Sequence, residues 1–312
     1  MSYLEYLNQA YPVRRTNEEK SRFRQYVLDL AVSKQVDARV ETTGDGKNEN
    51  VVIGDPLTAK VVCTAHYDTP ASSLFPNIMI PRNQVLFYLY QFAPIALMLA
   101  VALGGAYLMT NLLGFEGEAR MRPFLLIYLA IYYAMFFLMY RVFKNPKNFN
   151  DNTSGVATLL TMIDGLEDEQ RRDVAFILFD NEEKGKKGSK AYCKDHKDAM
   201  GNRFLVNFDC VGNGENIVFV AMKEAEECDE RVALQKAFAA NGEFKSYFYP
   251  IKGSQSNSDY KNFPCGVGCM ACRQTKGGTL YTPYIHTPRD TVAHDRNIEY
   301  IAACMSRFFR EM

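Results

Sequence analysis

The stretch "NDNTSGVATLLTMIDGLEDEQRRDVAFILFDNEEKG", residues 150–185, decides the fold. Val156, Leu159, Leu160 and Ile163 recur at the spacing of one helix face, so a helix follows the "DNTSG" turn. The next run, "DVAFILFDNEE", is apolar without alternation and ends in acids. That is the pattern of a strand covered on both faces. A helix feeding a doubly buried strand is the unit of α/β proteins with a mixed, largely parallel sheet flanked by helices.

The same pattern extends outward. Upstream, "AKVVCTAHYD" is an apolar run ending in His66 and Asp68; downstream, "RFLVNFDCVG" ends in Asp209. "ARVETT" and "NVVIGD" flank a "GDGKN" turn signal, and "NIVFVAM", "YFYPI" and "GVGCMAC" add further strands. Helices are expected over "TNEEKSRFRQYVLDLAVSK", which opens on a Thr16–Glu19 capping box, over "ERVALQKAFAANG" and over "NIEYIAACMSRFF". No internal repeat is visible.

Composition narrows the function classes. Lys+Arg and Asp+Glu balance at 36 each, which leaves no basic field for nucleic acid. The first 20 residues lack an apolar signal region, so no cleaved secretory signal is expected. Eight cysteines without paired spacing suit reduced thiols in a cytosolic compartment.

His66, Asp68, Glu182, Glu183 and Asp209 all fall at or just beyond the carboxyl ends of predicted strands, where open α/β sheets place their ligand crevice. Asp151 and His286 of "IHTPRD" complete a set of mixed imidazole and carboxylate donors, the type that suits zinc and similar metals. Singly, each has a plainer reading. Asp151 equally suits a helix N-cap, Glu182–Glu183 a solvated turn, and Asp209 a turn closure. His196 and His294 sit among charges and read as solvent-facing. The joint occurrence of five such segments, in a chain with four histidines, favours a site.

In order, "HYDTP", "NDNTSGVATLL", "FDNEEKGKKGS", "NFDCVGNG", "SDYKNF" and "HTPRDT" resemble the motifs of the co-catalytic dizinc aminopeptidases. That family includes bacterial leucyl aminopeptidases, aminopeptidase Y and glutamate carboxypeptidase. The resemblance spans about residues 50–70 and 148–310. It implies a zinc exopeptidase fold, a peptide substrate and two Zn2+, with Co2+ or Mn2+ left open. It further implies that His66, Asp151 and Asp209 hold one ion and that Asp151, Glu183 and His286 hold the other. Glu182 would be the general base, and Asp68 would orient His66. Tyr260 replaces a histidine of the family's serine–aspartate–histidine run, which leaves Asp259 without an assigned role. Tyr281 or Tyr284 is a candidate oxyanion donor, or part of a packed aromatic strand.

Rival readings exist. Glutaminyl cyclases share the fold and several of these residues, though "DNTSG" fits peptidases better. Some membrane proteins keep the fold as a binding module after losing ligands; every ligand position is filled here. Cys265, Cys269 and Cys272 have the C-x3-C-x2-C spacing of a cluster site, but also read as small residues in a buried strand.

One feature departs from the resemblance. The family closes the gap between the His-x-Asp segment and the bridging aspartate with a short loop. Here Asp68 and Asp151 are 83 positions apart. The extra chain carries Gln84–Phe115, 32 residues without a charge, and Pro123–Tyr140, 18 residues. A membrane helix needs about 20 apolar residues. The expected organisation is therefore 1–81 and 148–312 as two parts of one catalytic domain, with 82–147 as an inserted transmembrane hairpin. Tyr88, Tyr90 and Tyr140 suit interfacial belts, and Arg141 suits snorkelling. A soluble hairpin forming a lid or dimer interface is the alternative. Arg82, Arg141, Lys144 and Lys147 flank the insert, against Arg120 and Arg122 in its "EGEARMR" turn. Positive-inside bias then puts the catalytic domain in the cytoplasm.

Overall fold

The computed structural model describes residues 1–73, 77–140, 143–239 and 243–312. In chain order its main elements are α1 (Tyr3–Ala10), α2 (Asn17–Ser33), β1 (Ala38–Thr43), β2 (Asn48–Ile53), β3 (Val61–His66), β4 (Ala71–Ser72) and β5 (Asn77–Met79). The long helices α3 (Gln84–Leu112) and α4 (Met121–Tyr140) come next, then β6 (Phe143–Lys144), α5 (Gly155–Asp164), β7 (Val174–Phe179), α6 (Lys187–Asp195) and α7 (Lys197–Met200). The chain ends with β8 (Phe204–Phe208), β9 (Asn216–Ala221), α8 (Asp229–Ala237), β10 (Lys245–Pro250), β11 (Gly266–Gln274), β12 (Leu280–Ile285) and α9 (Asp295–Glu311).

Ten strands form one mixed sheet. Its centre, β7-β3-β8-β11, is parallel throughout, while β1, β2, β9, β12 and β5 join through antiparallel pairings. The central strands are apolar on both faces because both faces are covered. Val61, Cys63, Val174, Phe176 and Leu178 pack under the face bearing α1, α2, α5, α8 and α9. Val62, Ile177 and Phe179 face Tyr192, Met200, Tyr260 and Phe263 on the other side. The Thr16–Glu19 capping box forms, and Phe23 and Val27 of α2 are buried as their spacing predicts.

Cys269 and Cys272 lie on opposite faces of β11, one in each core. They cannot converge on one cluster, and burial in a strand accounts for them. All eight cysteines are free thiols.

The inserted helices differ from the rest. At 1.5 Å per residue, α3 and α4 are about 44 and 30 Å long. Met98, Ala102, Ala106 and Thr110, four residues apart, form the buried stripe of α3. A Cβ added to Gly105 would come within 2.8 Å of Ile131 Cδ1, so glycine there permits close approach of the two helices. The outer surface is apolar and open: Leu89 is 63% exposed and Leu126 68%. Both helices are long and apolar enough to cross a membrane. Arg141 and the side chain of Tyr140 lie outside the described residues.

Candidate metal centre

His66 is the last residue of β3, Glu182 and Glu183 follow β7, and Asp209 follows β8. Three adjacent parallel strands thus deliver four of the predicted side chains to one end of the sheet. Asp151 arrives from the kinked turn before α5, and His286 from the end of β12. All six line one cavity of about 370 Å³.

Asp151 is the hub. Its Oδ1 lies 3.4 Å from His66 Nε2, and its Oδ2 lies 3.2 Å from His286 Nε2. His66 Nε2 is 3.7 Å from Asp209 Oδ1, and His286 Nε2 is 3.4 Å from Glu183 Oε2. These spacings lie within about 0.1 Å of the edges of a tetrahedron whose ligands sit 2.0–2.2 Å from a central zinc, about 3.3–3.6 Å. The donor types fit as well. Glu183 Oε1 is buried without a hydrogen bond, as a carboxylate awaiting a cation would be. The residues present therefore fit a metal site.

Electrostatics point the same way. Burial pushes the Glu183 carboxyl up to about 8, with His286 opposing and Asp151 adding to the rise. Burial likewise raises Glu182 well above the usual carboxylate range. For His286, burial alone disfavours the charge, but Glu183 and Asp151 overcome it and raise the imidazole to about 9. His66 is raised in the same way by Asp151, Asp209 and Asp68 against the pull of burial. Asp151 stays ionised despite burial because His286 and His66 flank it. The six side chains comprise four carboxyl groups and two imidazoles, and a divalent ion bound among them would offset that excess of acid.

The "NDNTSG" motif has a structural job that extends beyond Asp151, whose carboxylate faces the two histidines and caps no helix. Asn152 Oδ1 accepts from Gly155 N at 3.1 Å and Cys210 N at 3.2 Å, while its Nδ2 donates to Phe208 O. Asn150 Oδ1 accepts from Gly212 N, and Ser154 Oγ accepts from Val211 N. These bonds lock the Asp151 turn onto the Asp209 turn. Only glycine fits at position 155, since a Cβ there would stand 2.3 Å from Phe208 O. Asn181, Cys210 and His286, beside or within the site, have φ of 54°, 58° and 61°. Such conformations cost roughly 1–3 kcal/mol each and persist where surrounding structure enforces them.

Some placements differ from expectation. The Asp68 carboxylate accepts from the backbone amides of Glu182 (2.9 Å) and Glu183 (3.2 Å), so it organises the glutamate turn. His66 Nδ1 instead bonds the Asp68 carbonyl at 3.0 Å, with the carboxylate 3.6 Å away. His196 is half-buried, pairing with Glu41 and packing on Tyr192, because α6 turns it inward; His294 is exposed as expected. Tyr284 is 39% exposed and Tyr281 lines a separate shallow cavity; neither is in the lining of the metal-centre cavity, which β12 reaches through Thr282 and Ile285 across a break in its register. Asp259 is buried, accepts from Ser189 Oγ and is raised to about 7 by burial.

Two contributors escaped the sequence reading. Asp290 accepts from the amides of Asn150 (3.0 Å) and Asp151 (2.9 Å), fixing the hub's backbone. Arg14, fully buried, donates to Tyr67 O, Tyr11 O and Thr153 Oγ1, joining the His66 and Asp151 segments from beneath. The only sequence signal for Asp290 was its place four residues after His286.

A mixed sheet with imidazoles and carboxylates gathered at its carboxyl edge is the arrangement of a metal-dependent hydrolase. The sequence pattern of peptidase family M28 matches residues 142–308, more than half of the chain, and the chain belongs to that family of zinc-dependent peptidases. No curated protein matches it in sequence. Among solved structures, a Zn-dependent exopeptidase from Parabacteroides distasonis superposes with a TM-score of 0.60 at 14% identity, covering 100% of this chain and 97% of the other. A glutaminyl cyclase from Porphyromonas gingivalis gives 0.59 at 13% identity, covering 99% and 97%. The LapA aminopeptidase of Legionella pneumophila gives 0.57 at 15%, covering 99% and 69%. These likenesses establish the zinc exopeptidase fold.

Proposed function

We propose that the protein is a membrane-anchored aminopeptidase with two zinc ions, removing N-terminal residues from peptides. The observation that carries this is the division of Asp151, one carboxylate oxygen toward His66 and the other toward His286. On this reading His66, Asp151 and Asp209 hold one ion, and Asp151, Glu183 and His286 the other. When bound, the ions supply an acidified water and a polarised scissile carbonyl.

The remaining work falls to the protein's own groups. Glu182 lines the cavity beside the ligands and is no part of either ligand set. A carboxylate beside the ligands and outside both ligand sets suits accepting a proton from water and returning it to the leaving amine. Asp68 holds the Glu182 amide, and with it the reach of that carboxyl. The fold also hosts cyclase chemistry in a relative, so substrate must decide between the two.

The hairpin is read as two membrane spans returning to the side they left. Arg82, Lys144 and Lys147 lie at its base, whereas Arg120 at its tip is folded back, donating to Thr110 Oγ1 and stacking on Tyr107 at 4.3 Å. Positive charge at the base supports a cytoplasmic catalytic domain.

The test is a panel of aminoacyl-p-nitroanilides beside a glutaminyl peptide, using detergent-purified protein. Release of p-nitroaniline, abolished by a chelator, is the expected outcome. Cyclisation of the glutaminyl peptide without aminoacyl hydrolysis would overturn the aminopeptidase reading.

A further inference from the structure

Helix α3 does not stand clear of the catalytic domain. Phe87 and Gln91, from its first two turns, line the metal-centre cavity together with Asn77 and Met79 of β5, Met270 of β11 and Ile285 beside His286. The wall is held from several directions. Gln91 Nε2 donates to Asn77 Oδ1 at 3.1 Å, and Asn83 Oδ1 caps the helix through Leu86 N at 2.9 Å. Just before it, Arg82 stacks on Tyr249 at 4.6 Å and bonds Ser254 Oγ, while Gln255 N donates to Pro81 O at 2.8 Å. Phe87 is half-buried there, whereas Val85, two positions earlier, is 72% exposed.

The cavity is at the small end for ligand sites, which suits one residue and its scissile bond better than an extended peptide. Its apolar lining, Met79, Phe87, Met270 and Ile285, offers contact to an apolar side chain. A basic one finds no carboxylate outside the metal ligands and the base, and an acidic one finds only Lys186, whose Nζ already donates to Asn257 Oδ1 at 2.8 Å.

We infer that Phe87 is a specificity-determining residue, and that the inserted helix forms one wall of the pocket for the substrate's first side chain, selecting a large apolar one. The inference rests on the aminopeptidase reading. It ties specificity to the segment that departs from the family pattern, so the anchor and the substrate pocket are one element.

Steady-state kinetics on full-length protein in detergent, with leucyl, phenylalanyl, alanyl, lysyl and glutamyl p-nitroanilides, test it. The intact protein should favour leucyl and phenylalanyl substrates. Phe87→Ala should raise KM for these about tenfold, the scale of lost apolar contact in a pocket. The alanyl substrate, whose side chain is too short to gain as much from Phe87, should lose less than the leucyl and phenylalanyl substrates, so the leucyl-to-alanyl ratio of kcat/KM is the readout. Phe87→Trp, which fills the pocket, should shift preference toward the alanyl substrate. Zinc content measured on each variant separates a specificity change from misfolding. Unchanged selectivity in both variants at full zinc content would overturn the inference while leaving the peptidase reading intact, as would a preference of the intact protein for charged residues. No hydrolysis of any substrate by zinc-loaded intact protein would remove both.

Discussion

Asp151 touches two histidines with its two carboxylate oxygens, and its neighbours hold it in that pose. Asp290 is the clearest case, since both its oxygens accept amides of the Asp151 turn. An asparagine there keeps one acceptor and turns a donor toward the other amide. Asp290→Asn should therefore weaken metal binding about 10–100-fold, as loss of a ligand's supporting bonds does, and titration with a zinc chelator will measure it. The adjacent glutamates have separable jobs. Glu182→Gln should retain metal yet lose about 10²–10⁴ in kcat, because it removes a base and no ligand. Glu183→Gln should lose one metal preferentially. The opposite pattern, with metal lost from Glu182→Gln and kept by Glu183→Gln, would reverse the assignment. At this scale the sequence was informative about donor types but not about roles. The resemblance implies that Asp68 orients His66 without saying by which group; in the structure the Asp68 carbonyl bonds His66 Nδ1 while its carboxylate, 3.6 Å from that nitrogen, holds the amides of the glutamate turn. Arg14 carries no local pattern, since its function comes from three groups that only the fold brings together.

The strands were legible because a strand buried on both faces has to be apolar without alternation, as in Val174–Phe179 and Val61–His66. Helix α2 was legible from its cap and spacing. The inserted pair was visible as uncharged length, yet uncharged length cannot tell that Phe87 and Gln91 line the metal-centre cavity while Val85 and Leu89 face outward. The outward faces of α3 and α4 are what a bilayer would cover. The protein should therefore stay in the membrane fraction through a carbonate wash, because two apolar helices partition more strongly than a surface contact. With the catalytic domain on the cytoplasmic side, Gly117→Cys at the hairpin tip should label with a membrane-impermeant thiol reagent on intact cells. Release of intact protein to the supernatant without detergent would instead make the hairpin a lid or dimer contact.

Across the whole molecule, two distant parts of the chain build one catalytic sheet, and the insert between them begins beside the cavity. Strand β4 before the insert pairs with β6 after it in a separate two-stranded sheet, so the two ends of the hairpin are held side by side at its base. The proposed aminopeptidase chemistry depends on the metal centre holding two ions, a proposal that rests on the division of Asp151 between His66 and His286. The most direct measurement is the zinc content of gently purified full-length protein, read by elemental analysis against protein concentration. The account predicts close to two equivalents per chain, falling to near one in Glu183→Gln. A content near zero, with none regained on incubation with zinc, would contradict it.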